Sequence, residues 1–377
     1  MFNVIITGIA SFFTDISTEM VYPIIPFFLT SVLGVGPAIL GLIEGFAESL
    51  ASLLKVFSGY FSDKQKKRKP LAIFGYGSST IGKAILYLST GWVSVFVARM
   101  IDRLGKGIRT APRDALIADS TPKEKRGRAY GLHRAMDTLG AAVGVLLAYI
   151  FIKSNALNYS KIFLWSILPA LIGVLFLFFA RETISTAWRE RAKIKLHWKQ
   201  LPMKLRLFLI VVFIFALGNS SNQFLMLRAK SLGYPVTKVL LLYLFYNVTY
   251  GLLSFPIGRL SDKIGRKRIL VIGYFIYGIV YLGFAIIGKH SLLWLLFGVY
   301  GFYSAFNEGI EKAFVSDIAS QEIRGTIIGL HATLVGVGLL PASLIAGGLW
   351  QAVGAPAPFY FGGAMGLLAA IALIFVI

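Results

Sequence analysis

The sequence predicts an all-α membrane protein, with twelve transmembrane helices arranged as two pseudo-symmetric six-helix bundles. Three observations lead there. The 377-residue chain is 56% hydrophobic, more than a soluble fold of this length hides in its core, and its mean hydropathy is +0.73. Apolar runs of about 20 residues, enough to cross a hydrocarbon layer as helix, recur from end to end. The stretch Ala115–His133 also returns 198 residues later as Ala313–His331, with Asp119, Glu124, Arg126 and His133 reappearing as Asp317, Glu322, Arg324 and His331. In near-identical register, Gly59 and Ser62-Asp63-Lys64 return as Gly258 and Ser261-Asp262-Lys263. Two parallel half-copies imply a pseudo-twofold axis along the membrane normal.

The expected spans are residues 4–32, 38–61, 70–90, 92–119, 127–152, 162–180, 205–228, 236–260, 268–287, 291–318, 325–348 and 356–377. Each is read as helix, because unpaired backbone is costly in lipid and the runs are too long and unbroken for barrel strands of about ten residues. The first run lacks a basic leader and a small-residue cleavage site and continues past Asp15, so it is read as a span rather than a signal peptide. The organisation expected is a bundle at 1–182, a cytoplasmic linker at 183–204 and a bundle at 205–377. The linker carries Arg189, Arg191, Lys193, Lys195 and Lys199 and reads as a tether, with a surface amphipathic helix as the alternative.

The net charge of +21 raises nucleic acid as a partner, but the distribution of that charge argues against it. Basic residues gather in alternate loops, as at Lys64, Lys66, Lys67, Arg68 and Lys69, and in the linker. The opposite loops carry only Lys153, Lys161, Arg228, Lys230, Lys238 and Lys289. The positive-inside rule then places the basic loops and both termini in the cytoplasm, with the chain integral to the inner membrane and anionic lipid headgroups as sufficient partners. Cysteine is absent, excluding disulfides and thiolate metal sites. No Walker loop, HExxH or serine elbow occurs, so neither a catalytic residue, a resident metal nor a cofactor is expected, and the energy source implied is a gradient of protons.

Gly258-Arg259-Leu260-Ser261-Asp262-Lys263-Ile264-Gly265-Arg266-Lys267 closes the eighth span. It resembles, nearly position for position, the G-x-L-[S/A]-D-R/K-x-G-R-R/K signature of the major facilitator superfamily. Its first copy, from Gly59 through Asp63 to Arg68, departs by placing Lys66 where the glycine belongs. The resemblance covers the whole chain and implies the major facilitator fold, with these loops as a cytoplasmic latch. Gly59, Asp63, Arg68, Gly258, Asp262 and Arg266 are its expected members, glycine allowing close helix contact. Asp119 and Asp317, which close spans four and ten, and Arg126 and Arg324, which open spans five and eleven, are the expected ion-pair partners. Static helix capping is the plainer role for the two arginines. His133 and His331 lie just inside, able to titrate near neutrality but read as packed and hydrogen-bonded.

Span four is the most charged. Arg99, Arg103, Lys106 and Arg113 share one face, flanked by Asp102 and Arg109. Arg99-x-x-Asp102-Arg103-x-Gly105 partly resembles the R-x-x-x-G-x-G element of the same superfamily, which the family associates with proton coupling; Arg103 stands at a glycine position. Such a stripe cannot face lipid at about 2.5–3.5 kcal/mol per central charge. Opposite charges exist in Asp15 and Glu19 on span one and Glu44 and Glu48 on span two, each pair spaced i,i+4. They read as proton, organic-cation or hard-metal sites, or as internal compensation for Arg99, Arg103, Lys83 and Lys55. Pro23 removes the helix bond to the Glu19 carbonyl and predicts a break there. In the second half Asn219, Asn222, Tyr243, Asn247 and Glu308 suit substrate hydrogen bonding, with helix-to-helix bonding as the alternative. Phe46, Tyr243 and Phe306 suit a cavity lining or lipid-facing packing. Gly140-x-x-x-Gly144 partly resembles the G-x-x-x-G-P antiporter element of drug exporters, although helix packing alone explains it.

These residues together predict a monomeric secondary transporter. It moves a small organic solute by alternating access, proton-coupled and outward. A carboxylate-based divalent-cation carrier, a lipid or lysolipid flippase and a non-transporting receptor are the rival readings.

Overall fold

The computed structural model describes residues 2–65, 67–122, 125–154, 158–182, 201–288, 292–307, 309–319 and 324–376, with backbone alone at 63, 127, 324–326 and 376. Most of the expected linker therefore lies outside the described residues, as do Glu308 and the side chains of Asp63 and Arg324. All regular structure among the described residues is helical. In order these are α1 (Phe2–Val21), α2 (Ile25–Phe27), a π-helical turn (Phe28–Val32), α3 (Pro37–Gln65), α4 (Lys69–Tyr87), α5 (Trp92–Asp119), α6 (Arg126–Ser154), α7 (Tyr159–Leu177) and α8 (Met203–Gly218). There follow α9 (Gln223–Ser231), α10 (Val236–Ile264), α11 (Arg266–Ile286), α12 (Leu292–Asn307), α13 (Ile310–Ile318), α14 (Arg324–Ala352) and α15 (Ala357–Val376).

Three of the expected spans are interrupted, the first where Pro23 predicts a break. Pro23 and Pro26 each lack an amide donor, so α1 stops at Val21 and helix resumes at Ile25, closing through a π turn in which the Leu33 amide donates to the Phe28 carbonyl at 3.0 Å. Between α8 and α9 stand Asn219, Ser220, Ser221 and Asn222, whose short polar side chains compete with the helix ladder; the Ser221 hydroxyl accepts from the Gln223 amide at 3.3 Å. In the third, α12 ends at Asn307 and α13 starts at Ile310 with Gly309 at its N-cap.

The chain forms two compact units, Met1–Gly36 with Phe46–Arg189, and Pro37–Gly45 with Glu190–Ile377. In the first, α4 packs on α5, and α1 packs on α6 and α7. Small residues set these approaches. A Cβ at Gly140 or Gly144 would strike the α1 backbone at Phe12 or Ile16. A Cβ at Gly82 would lie 2.8 Å from the Ala98 carbonyl and 2.9 Å from the Asp102 amide. In the second unit α11 packs on α12 and α15, and α8 on α14 and α15, with Gly278 and Gly363 at the α11–α15 crossing. The opening turns of α3 belong to this second unit, where Gly41 and Gly347 let α3 and α14 meet.

The outer surface is apolar. On α7 alone Leu164, Trp165, Leu168, Leu171 and Leu175 are exposed, a stripe that water would not tolerate and acyl chains would. Eight segments among the described residues are long and apolar enough to cross a membrane, Phe2–Val32 and Arg266–Ile286 among them. The protein is an integral membrane protein. Helices α3, α4 and α5 are not among the eight; they carry most of the charge described below.

Replacing Gly82 by Ala is expected to push α4 off α5 and to cost about 1–3 kcal/mol of stability. Thermal unfolding of the purified protein in detergent checks this; an unchanged midpoint would show that the crossing is looser than the coordinates place it.

Candidate functional site

The first unit assembles its charges around Asp102, halfway along α5 and 7% exposed. Lys83 on α4 reaches its Oδ1 at 3.4 Å, and Arg99, one turn earlier on α5, reaches Oδ2 at 3.3 Å. Arg103 lies 3.9 Å from the same oxygen and turns its Nη2 to Glu48 of α3 at 3.0 Å. Tyr22, in the break after α1, lies beneath both guanidiniums, each 5.7 Å from its ring centre. Lys83 also donates to Thr18 of α1 at 3.3 Å. Thr18, Gly82, Lys83, Arg99 and Asp102 line a small cavity of about 10 Å³, close to the room one water needs. Three helices are thus held by one buried network in which each carboxylate faces a cation.

A second group lies toward the other end of the same unit. Asp15 on α1 is half-buried and in the field of Lys106, Arg109, Arg113 and Arg134. Asp137 on α6 interacts electrostatically with Asp15 and approaches the His133 ring, one turn back, at 3.4 Å. The Ser11 hydroxyl meets His133 Nε2 at 3.1 Å, the Tyr76 hydroxyl at 2.7 Å and Arg113 Nη1 at 3.2 Å. Arg109 stacks over Tyr76 with 4.5 Å to the ring centre and donates to Ser79. Glu19 packs beside Gly144.

The second unit is aromatic rather than charged. Tyr246, Tyr277, Tyr281, Tyr300 and Tyr303 from α10, α11 and α12 form one array with centroid spacings such as 4.1 Å (Tyr277–Tyr281) and 5.2 Å (Tyr300–Tyr303). The Tyr300 hydroxyl donates to Asn222 at 2.7 Å, and Asn219 donates to the Tyr303 hydroxyl at 3.3 Å, so both amides at the α8–α9 break face the array. Tyr243 stacks beside Tyr246 at 5.8 Å. The Asn247 side-chain amide donates to the Tyr243 carbonyl one turn back, at 2.9 Å. Glu44 is fully buried. Phe46 is largely exposed and edges onto Phe96 at 6.0 Å, whereas Phe306 is buried against Gly273.

At the helix ends Arg68 Nε meets Asp119 at 3.3 Å and its Nη1 donates to Ser62 at 2.7 Å. In the second unit Arg266 meets Asp317 at 2.7 Å and Asp262 at 3.5 Å. Arg126 opens α6 and makes no ion pair among the described residues. Gly258 has open space where a Cβ would stand, so close contact does not explain it; Gly59 touches Ala111 at ordinary distance. Sequence reasoning missed Asp137 and Tyr22 and the tyrosine array. The one available signal was the i,i+4 spacing of His133 and Asp137, which places them on one helix face.

A sequence profile of the Major Facilitator Superfamily matches residues 7–245 and 208–377. The chain belongs to this superfamily. It is 40% identical over 380 residues to an uncharacterized MFS-type transporter of Methanocaldococcus jannaschii, covering 99% of this chain and 94% of that one. It is 25% identical over 371 residues to multidrug resistance protein MdtH of Photorhabdus laumondii, covering 94% and 89%. Among solved structures it is similar to the nucleoside transporter NupG, with a TM-score of 0.82, 14% identity and coverage of 100% and 99%; at that identity the likeness concerns the fold. Major facilitators are transporters, not enzymes.

The buried network should respond to charge removal more than to charge-pair removal. Asp102→Asn removes the carboxylate that Lys83 and Arg99 share and is expected to destabilise by about 3–5 kcal/mol, while adding Lys83→Met recovers part of the loss. A double-mutant cycle on unfolding in detergent reads the difference; strictly additive effects would show that the pair does not interact.

Proposed function

We propose that the chain is a proton-coupled secondary transporter, exporting a small organic solute by alternating access. In this reading twelve membrane-spanning helices form two pseudo-symmetric bundles, 1–182 and 205–377, joined by the linker 183–204. The chain acts as a monomer in the inner membrane with both termini cytoplasmic, surrounded by lipid and needing neither cofactor nor nucleic acid. The observation that carries the proposal is the buried charge of the first unit: Glu48–Arg103–Asp102–Lys83, with Asp15 facing Asp137 further along. Ionisable groups at such depth are costly unless they serve a pathway.

Asp15 and Asp137 are the proposed proton-exchanging pair, since two neighbouring carboxylates repel and share a proton readily. Glu19 and Glu48 line the same route, with Arg103 holding Glu48 by opposite charge until a substrate or proton competes for it. The second unit supplies recognition through Asn219, Asn222 and the tyrosine array, a surface of ring faces and hydroxyls suited to a planar organic solute. The Arg68–Asp119 and Arg266–Asp317 pairs form the cytoplasmic latch, with Gly59, Asp63, Gly258, Asp262, Arg126 and Arg324 around them. Export is favoured by the likeness to a multidrug resistance protein. A divalent-cation carrier is the weaker reading, because among the described residues no three carboxylate or imidazole ligands gather.

Proteoliposomes with imposed pH gradients, screened against lipophilic cations, nucleosides, sugars and short peptides, test this. A transported solute is expected to accumulate with the gradient, and Asp15→Asn and Glu48→Gln to reduce gradient-driven flux about tenfold or more. Flux indifferent to both the gradient and the two variants would remove proton coupling through these residues.

A further inference from the structure

The second unit holds a titratable cluster that the proposed route does not use. Glu311 lies in the first turn of α13 and is 8% exposed; His331, on α14, is 3% exposed. The Tyr274 hydroxyl of α11 donates to Glu311 Oε1 at 2.7 Å, and His331 Nε2 meets Oε2 at 3.1 Å. Aromatic rings wall the group off: Phe208 of α8 stacks on the imidazole at 6.4 Å with planes 5° apart, and Phe215 stacks on Tyr274 at 4.1 Å. We propose that Glu311, His331 and Tyr274 form a proton-binding site in the second unit, distinct from the acids of the first.

The argument is one of charge balance. Asp102 faces Lys83 and Arg99, and Glu48 faces Arg103, so both carboxylates are neutralised in place. Among the described residues no Lys or Arg pairs with Glu311; its bonds run to an imidazole and a phenol. A buried carboxylate in that setting is balanced only when a proton joins the pair. The added proton lies on the imidazole or on the carboxyl oxygen, and in both placements the hydrogen bond between His331 Nε2 and Oε2 persists. His331 Nδ1 is buried without a hydrogen-bond partner, so the ring's bond to Glu311 through Nε2 is the one that holds it.

Helices α14, α11, α12 and α8 pack on α13. Helix α14 contributes His331, α11 contributes Tyr274, α12 contributes Tyr303 and Asn307, and α8 contributes Phe208; Arg206, also on α8, is half-buried with its Nε unbonded. On α13 itself Lys312 is exposed and Asp317 is taken by Arg266.

A comparison within the chain sharpens the inference. Tyr76, Arg113 and His133 stand 198 positions before Tyr274, Glu311 and His331. In the first unit the Ser11 hydroxyl bridges tyrosine and histidine at 2.7 and 3.1 Å, the distances at which Glu311 bridges them in the second. The tyrosine–histidine frame is therefore built twice. In the first copy a neutral hydroxyl beside a guanidinium fills the bridge, with Asp137 on the far nitrogen of the histidine; in the second the bridge itself is a carboxylate without a Lys or Arg partner among the described residues.

Infrared difference spectra of the reconstituted protein between about pH 5 and pH 8, without substrate, test this. Wild type is expected to show carboxyl and imidazole bands that rise with proton uptake. Glu311→Gln keeps an acceptor for Tyr274 and should remove the carboxyl component; His331→Gln should remove the imidazole component; Tyr274→Phe should keep uptake but move its midpoint. Asp15→Asn should leave these bands intact, which separates this site from the coupling acids of the first unit and from any failure of flux. Melting curves in the same detergent establish that each variant is folded, and either of the first two decides alone. Wild-type band amplitudes in a folded Glu311→Gln or a folded His331→Gln protein would overturn the proposal.

Discussion

A carboxylate inside a bilayer has to be answered, by a cation, a proton or a set of donors, and much of this protein's interior is arranged around that demand. Asp102 is the centre of the first unit's answer. Lys83 comes to it from a neighbouring helix and Arg99 from its own, while Arg103 passes the charge on to Glu48. Each central charge would cost about 2.5–3.5 kcal/mol alone. Met by its opposite, it ties α3, α4 and α5 together where lipid supplies no hydrophobic drive between helices. The glycines come first in this logic. Without Gly82 the α5 backbone could not approach α4 closely enough for Lys83 to reach the carboxylate.

What was legible in the sequence follows from which forces leave a periodic trace. Helicity and the duplication are plain, because hydrocarbon enforces continuous apolar runs and the Asp119/Asp317 echo survives in single residues. The stripe on α5 is plain too, since charges one turn apart cannot be hidden from lipid separately. The breaks at Asn219–Asn222 and between α12 and α13 were not legible, because apolar windows average over side chains that compete for backbone hydrogen bonds. Pro23, which deletes a donor outright, was. The tyrosine array escaped for a related reason. Tyr246, Tyr277 and Tyr300 each look like one more apolar residue on a lipid-crossing helix, and their hydroxyls acquire meaning only when α10, α11 and α12 converge.

The two copies of the loop motif reach the same ion pair by different local means. In the second copy the chain passes directly from α10 to α11 through Gly265 at φ +96°, a left-handed turn that favours glycine, and Arg266 emerges beside Asp317. The first copy has Lys66 at the matching position in the sequence. There the start of α4 is held instead by Glu182, whose carboxylate accepts from the Arg68 and Lys69 amides at 2.8 and 3.0 Å, anchoring the helix N-terminus. Arg68 then reaches both Ser62 and Asp119, and its side chain is 12% exposed against 26% for Arg266. The copy with the poorer sequence signature is thus the better sheltered one. A motif read as a string ranks these two loops in the wrong order, because the string does not record that the last charged residue before the linker caps the helix the missing glycine would have helped to start.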